Sequence, residues 1–263
     1  LAEKYPSWSP YNYTLNNPIN VIDPNGMDIV YYNGSGEEVR RIKTEKQYGT
    51  YVDLSGNGNY TSAPMPNIIK GYEDSKFQQY DYLIAAMTLI FNHTSASQRP
   101  NTANGLSLDG EQPISLSPTL VKAIILKETV GGTVTGDYGQ NGTSDIMQAN
   151  VTTTNSKGQI TGSDWADFKT KLGLVQGKSA TPEQSIYAGI RILYMKGLVV
   201  DQAVYENGYP SQQSTVSWKE GNLNSWWIAT RDYNGSSKKE SYVRTVYNYW
   251  NNSFFSKSSK YYK

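Results

Sequence analysis

Residues 120–150 read LVKAIILKETVGGTVTGDYGQNGTSDIMQAN, and they hold the chain's best candidates for acid–base chemistry. An apolar run ends on Glu128. A glycine-rich stretch then carries Asp137 and Asp145 ahead of the step Ile146-Met147-Gln148. A carboxyl group at the end of a buried helix is a candidate general acid, because burial favours its protonated form. Glycoside cleavage needs such an acid, still protonated near neutral pH. Leu120, Ile124 and Glu128 are spaced by four and share one helix face. Leu120 and Ile124 must face a core, so Glu128 is expected where that core meets the next loop, with Lys122 on the opposite, solvent side. The same position also suits a helix-end ion pair or a buried, hydrogen-bonded acid. Asp145 reads either as a second catalytic carboxylate or as a loop-capping acid.

Several elements must position these groups. Asp28–Tyr32 and Val39–Ile42 flank Asn33-Gly34-Ser35-Gly36, a hairpin signal, and Tyr48–Leu54 suits a further strand. Arg40, Arg41 and Lys43 read as a solvated strand face. From Ser75 the period changes: Phe77, Tyr80, Leu83, Ile84, Met87, Ile90 and Phe91 recur at helical spacing. Residues 94–116 read as loop. Ser117-Pro118 supplies an N-cap followed by proline at the first helical position, opening a helix to about Thr129. Thr181-Pro182-Glu183-Gln184 is a capping box before a helix carrying Ile186, Ile190, Leu193 and Leu198, expected to reach Val199. Asn224–Tyr233 and Glu240–Trp250 read as two closing helices, and the Lys- and Ser-rich tail from Ser253 as loosely ordered. The class expected is mainly α within α+β: a helical domain over residues 76–252 behind a small β-rich junction over residues 28–75.

Composition removes several kinds of chemistry. The chain has 263 residues, a formal net charge of +1, one histidine (His93) and no cysteine. Disulfides, thiol catalysis and cysteine-ligated zinc are excluded, and a histidine-rich metal nuclease site cannot be built. His93 falls at a helix end, a structural or solvent-facing place. No metal or cofactor is called for, and a near-neutral chain without a basic stripe argues against nucleic acid as a partner. The mean hydropathy is −0.60, yet 22 tyrosines and 6 tryptophans supply buriable surface with a polar edge. Trp165, Trp218, Trp226 and Trp227 suit core packing first and a glycan cleft second. Trp226 and Trp227, adjacent on one helix, cannot both face the same core. The run near Leu83–Phe91 is too short to span a bilayer. The opening Leu-Ala-Glu-Lys-Tyr-Pro carries no secretory signal pattern and reads as the start of an excised fragment.

Ordered along residues 75–250 are Lys127-Glu128-Thr129, Asp145-Ile146-Met147-Gln148-Ala149-Asn150, Ser185–Leu193, Ala229-Thr230-Arg231-Asp232-Tyr233-Asn234-Gly235 and Tyr242-Val243-Arg244. This order resembles the lysozyme-like superfamily of soluble lytic transglycosylases and goose-type lysozymes. The resemblance implies a lysozyme-like domain in which Glu128 is the catalytic acid, Met147 and Gln148 form the Met-Gln step on the cleft wall, and Tyr233 and Asn234 match a Tyr-Asn step whose hydroxyl lies near the acid. It also implies Asp137 as the candidate base that positions water, since Gly136-Asp137-Tyr138-Gly139 resembles the corresponding goose-type segment. Asn150 stands where that group can hold a second aspartate. Three departures stand out: Thr129 replaces serine after the acid, Asp145 replaces glycine before the Met-Gln step, and Gly235-Ser236 replaces Ala-Gly.

Near the start, Tyr11-Asn12-Tyr13, Asn16-Asn17-Pro18-Ile19-Asn20 and Ile22-Asp23-Pro24-Asn25-Gly26-Met27 resemble the end of an Rhs repeat-associated core. That resemblance implies that residues 1–27 close a β-cage shell able to cut itself after Met27, and that a polymorphic toxin follows. Together the two resemblances imply a secreted antibacterial effector. Its substrate would be the peptidoglycan glycan strand, cut between N-acetylmuramic acid and N-acetylglucosamine in the periplasm or cell wall of a target bacterium. Delivery by a type VI-like route and a cognate immunity protein are implied with it. Hydrolase (muramidase), lytic transglycosylase and non-catalytic glycan-binding module all stay open, with Asp137 favouring hydrolysis.

Overall fold

The computed structural model describes residues 28–44, 48–94, 107–109, 115–133, 144–150, 166–202, 205–206, 209–210, 215–218, 226–235 and 237–254. The string from Tyr11 to Met27, Asp137 and Trp165 lie outside them, as does the side chain of Trp218. In chain order the elements are β1 (Asp28–Asn33), β2 (Glu38–Lys43), β3 (Gly49–Asp53), β4 (Thr61–Ala63), β5 (Ile68–Ile69), α1 (Asp81–His93), β6 (Ser107–Asp109), α2 (Pro118–Thr129), α3 (Ala166–Lys171), α4 (Pro182–Lys196), β7 (Leu198–Gln202), β8 (Tyr205–Glu206), β9 (Tyr209–Pro210), β10 (Thr215–Trp218), α5 (Trp226–Tyr233), α6 (Lys239–Asn251) and β11 (Ser253–Phe254). The class is mixed α+β.

The expected hairpin forms. β1 and β2 pair antiparallel with a bulge at Tyr31/Tyr32, β3 runs parallel to β1, and the sheet order is β2-β1-β3-β4. Side chains alternate along β1, with Val30 and Tyr32 buried and Tyr31 half-buried, as a sheet with one face on a core requires. That face lies on α1: the Tyr82 hydroxyl accepts the Asp28 N–H at 2.7 Å, and a Cβ at Gly36, whose φ is +86°, would collide with Met87. Arg41 is not simply solvated, since it bridges Glu38 at 2.7 Å and Asp28 at 3.4 Å.

A single apolar core joins the sheet to the helices, running from Val30 and Val52 through Phe91, Ile124, Tyr194 and Trp226 to Val246. Helix α2 lies deep in it, with Thr119–Leu126 all buried. Lys122 is therefore not on a solvent face. It is 2% exposed, and its ammonium donates to Asp81 Oδ2 at 2.7 Å and to Gln78 Oε1. Burial pushes Asp81 up to about 6, against the opposing pull of Lys122 and a hydrogen bond from Tyr48; burial likewise pushes Lys122 down.

Other expectations meet the structure with mixed results. The Thr181–Gln184 capping box is present in full, whereas the Ser117 hydroxyl makes no capping bond and Pro118 alone marks the start of α2. Helix α4 ends at Lys196 rather than Val199, because β7 takes over and pairs with β10. The stretch expected as loop contains β6, which runs parallel to β10, a pairing between segments more than 100 residues apart. The tail does not loosen at Ser253: Ser253–Phe254 pair with Ile68–Ile69. His93 ends α1 and is exposed. Trp226 is buried, and Trp227 is half-buried, packed on the edge of the same core and edge-on against Tyr247 and Trp250 of α6. No helix among the described residues is long and apolar enough to cross a membrane.

The Lys122–Asp81 pair generates a stability prediction. Lys122→Met leaves a buried carboxylate without its cation and is expected to cost roughly 3–5 kcal/mol, whereas Asp81→Leu with Lys122→Met recovers most of the loss. Urea unfolding at neutral pH checks both, and an unchanged single variant would contradict the pairing. Because the folded value of Asp81 lies above its ordinary 3.8, its stabilising contribution is full below that pH and is lost as pH rises through about 6. The double variant is expected to lack this decline.

Candidate functional site

The site begins where α2 ends. Val130 adopts the left-handed conformation (φ 51°) that closes the helix, and Gly131 and Gly132 follow with φ of 74° and 81°. Glycine is needed at 132: a Cβ there would lie 2.7 Å from the Tyr80 ring and 2.9 Å from Ile146. The Thr129 hydroxyl sits 2.9 Å from the Ile146 carbonyl oxygen and accepts the Gly132 N–H at 3.0 Å. Thr129 thus ties the helix end to the segment 144–150, and Glu128, one residue earlier, is half-buried at this junction.

Tyr242, from α6, donates its hydroxyl to Glu128 Oε1 at 2.5 Å, and Lys127 lies 5.7 Å over the Tyr242 ring. Burial, the Glu128 charge and this hydrogen bond all push the Tyr242 phenol well above its ordinary value, so it stays a donor. The Tyr233 phenol is pushed the same way by burial first, then by the charges of Glu128 and Asp145. Its hydroxyl donates to the Met147 carbonyl oxygen at 2.8 Å. The tyrosine bonded to the acid is therefore Tyr242, while Tyr233 clamps the facing segment.

That segment is held by Asp145, which is fully buried. Oδ1 accepts the Ala149 N–H at 2.8 Å and the Ser185 hydroxyl at 2.7 Å, and Oδ2 accepts the Asn150 N–H at 2.8 Å. Of the two readings open for Asp145, the geometry is that of the loop-capping acid. Ser185 in turn accepts the Met147 N–H at 2.9 Å. Met147 is buried against α4, where a Cβ at Gly189 would come within 2.6 Å of its sulfur. Asn150 donates from Nδ2 to the Val175 carbonyl oxygen at 2.9 Å, pinning the far end of the segment to the small cluster around Leu172, Leu174 and Ala188.

Gln148 sits in the left-handed region (φ 52°), a strained place for a side chain with a Cβ. Its Nε2 donates to the Asp145 carbonyl oxygen at 2.8 Å, and its Oε1 is enclosed yet accepts no hydrogen bond from the described residues. Asn234 is half-buried beside Tyr233, and Gly235 has open space around it.

The structure thus brings Glu128, Asp145, Met147, Gln148 and Tyr233 to one locus. Sequence reasoning gave Tyr242 and Ser185 no chemical role. Tyr242 carried a signal, since it and Val246 are the buried pair of α6 at a spacing of four. Ser185 carried none, because its partner is 40 residues away. Among the described residues no group of three or more His, Cys, Asp or Glu side chains could hold a metal ion. Chemically, the locus offers one carboxyl group oriented by a phenol, while the Gln148 amide oxygen is shut off from solvent. Compared with protein families, curated proteins and solved structures, the chain matches none.

Asp145→Ala would strand the Ala149 and Asn150 N–H groups and the Ser185 hydroxyl in a dry interior. At roughly 1–3 kcal/mol for each unsatisfied buried group, the variant is expected to lose about 3 kcal/mol or more. Asp145→Asn, which can keep part of the set, should lose less. Chemical denaturation of the pair checks the order; equal stability of Asp145→Ala and wild type would rule out the capping role.

Proposed function

We propose that the chain is a glycan-cleaving enzyme acting on the peptidoglycan strand between N-acetylmuramic acid and N-acetylglucosamine, with Glu128 as general acid. The observation that carries this reading is the Tyr242 hydroxyl on Glu128 Oε1 at 2.5 Å, at the junction of a buried helix end with the Met147–Gln148 segment. An oriented carboxyl group is what protonation of a glycosidic oxygen requires. In this reading Glu128 donates its carboxyl proton to the glycosidic oxygen. As the proton passes to that oxygen the C1–O bond breaks, and the Tyr242 hydroxyl steadies the resulting carboxylate. The lysozyme-like fold belongs to the same proposal, as do the Rhs-borne toxin, its type VI-like delivery, its immunity partner and its action in the target's periplasm or cell wall.

Two courses follow bond cleavage. In hydrolysis a second carboxylate set back from the acid activates water. In transglycosylation the sugar's own hydroxyl attacks with help from its N-acetyl group, and Glu128 takes the proton back, leaving a 1,6-anhydro product. Both Asp145 oxygens are taken, by two N–H groups of its own segment and by the Ser185 hydroxyl, so hydrolysis would rest on Asp137, whereas transglycosylation asks for neither aspartate.

Glu128→Gln is expected to lower cleavage of purified sacculi by about 10²–10⁴-fold while keeping sacculus binding. Tyr242→Phe, losing one hydrogen bond to a charged group, is expected to lower it by roughly 10- to 100-fold. Muropeptide analysis by liquid chromatography and mass spectrometry reads the products: 1,6-anhydro ends mean transglycosylation and reducing ends mean hydrolysis. A folded wild-type protein that leaves sacculi intact would overturn the enzyme reading.

A further inference from the structure

Lys127 stands beside the acid and has no part in the chemistry described so far. It is half-buried in the last turn of α2, one residue before Glu128. Its ammonium lies 5.7 Å over the Tyr242 ring, and the hydroxyl of that same ring donates to Glu128 Oε1. Successive residues of a helix diverge by roughly 100°, yet the lysine and the acid flank one phenol.

The charge of Lys127 is not used up inside the protein. Among the described residues no carboxylate forms an ion pair with it. Lys122, on the same helix, is the contrast: it is buried and bonded to Asp81 and Gln78. Before and after the turn from α5 to α6, Arg231 and Lys239 are both drawn to Asp232, at 3.0 and 3.6 Å. A ring face compensates a cation only in part, so the Lys127 ammonium keeps N–H donors for an anion from outside. A lysine in the last turn also suits the negative end of a helix, but that role alone would show in stability and not in the choice of substrate.

A cation of this kind, next to an acid that cuts glycan, narrows the substrate. The sugar rings of the strand are neutral. Each muramic residue, however, carries through its lactyl group a short peptide with free carboxylates. Muramic acid is also the residue whose C1–O bond would break at Glu128, so its peptide branches from the ring held at the acid. We propose that Lys127 determines specificity: it takes a carboxylate of this stem peptide and makes the enzyme prefer peptide-bearing strands to bare glycan. The inference rests on the glycan-cleaving reading and adds to it the class of strand that is cut.

The test measures kcat/KM of the whole chain on two soluble substrates, peptide-bearing strands and the same strands stripped of peptide by an amidase. The wild type is expected to favour the peptide-bearing strand roughly 2- to 5-fold, the range of a part-exposed ion pair, and to lose that preference at high salt. Lys127→Gln should bring the ratio close to one, Lys127→Arg should keep it, and Lys127→Glu should push it below one. Strands whose carboxylates have been amidated should behave as bare ones. Glu128 serves both substrates, so any change these variants make in the acid itself cancels in the ratio. Thermal midpoints identify the folded variants; if Lys127→Glu does not fold, Lys127→Gln against Lys127→Arg decides alone. A wild type that cuts both strands with equal kcat/KM would overturn the proposal. So would a preference that Lys127→Gln leaves intact. In either case the glycan-cleaving reading stands. A folded wild type that cuts neither strand sinks that reading, and this inference with it.

Discussion

Helix α2 is buried along nearly its whole length, and that constraint decides where polar chemistry can occur. A helix enclosed on all sides admits polar groups only where they are paired or where it ends. Lys122 illustrates the first case: its charge is tolerated because Asp81 and Gln78 reach it from the start of α1 and the turn before it. Glu128 illustrates the second. It lies in the last turn, where the αL residue Val130 ends the helix and the wall of side chains stops. The pair at Lys122 also joins α2 to the first helix of the body, so the depth at which Glu128 emerges is set by packing some distance from it.

Facing Glu128, the segment 144–150 has almost no regular structure, and its shape comes from side chains that substitute for backbone partners. Asp145 takes two N–H groups of its own turn and the hydroxyl of Ser185, and Ser185 passes the restraint on to the Met147 N–H. Met147 is then fixed from both sides, by Ser185 at its nitrogen and by Tyr233 at its carbonyl oxygen. The glycine at 189 lets the methionine lie directly on α4. These contacts over-determine the segment, which is the condition under which Gln148 can persist with positive φ.

The sequence was most legible where the relevant interactions are local. The Asn33–Gly36 turn, the helical period from Tyr80, the proline opening α2 and the Thr181–Gln184 box all act within a few residues, and each element is found. Glu128 was legible because one four-residue spacing places it at the end of a buried face. What was hidden depends on partners distant in the chain. Lys122 looks like a solvent-facing residue until Asp81, 41 positions earlier, is folded against it. The parallel pairing of β6 with β10 and the strand at Ser253 have no local period to betray them. Tyr242 and Tyr233 differ in role because α6 packs on α2 while α5 packs on α4, which no spacing reveals.

The commitment of Asp145 bears on how a cleft of this kind would work. A carboxylate that positions attacking water must keep an oxygen directed at that water through the reaction. Each Asp145 oxygen instead closes a turn, and turning either one outward would release the very loop that carries Met147 and Gln148. Water activation and loop integrity would then compete for one side chain. Glu128, by contrast, is bonded by Tyr242, a phenol that burial and the neighbouring charge keep protonated and therefore a donor.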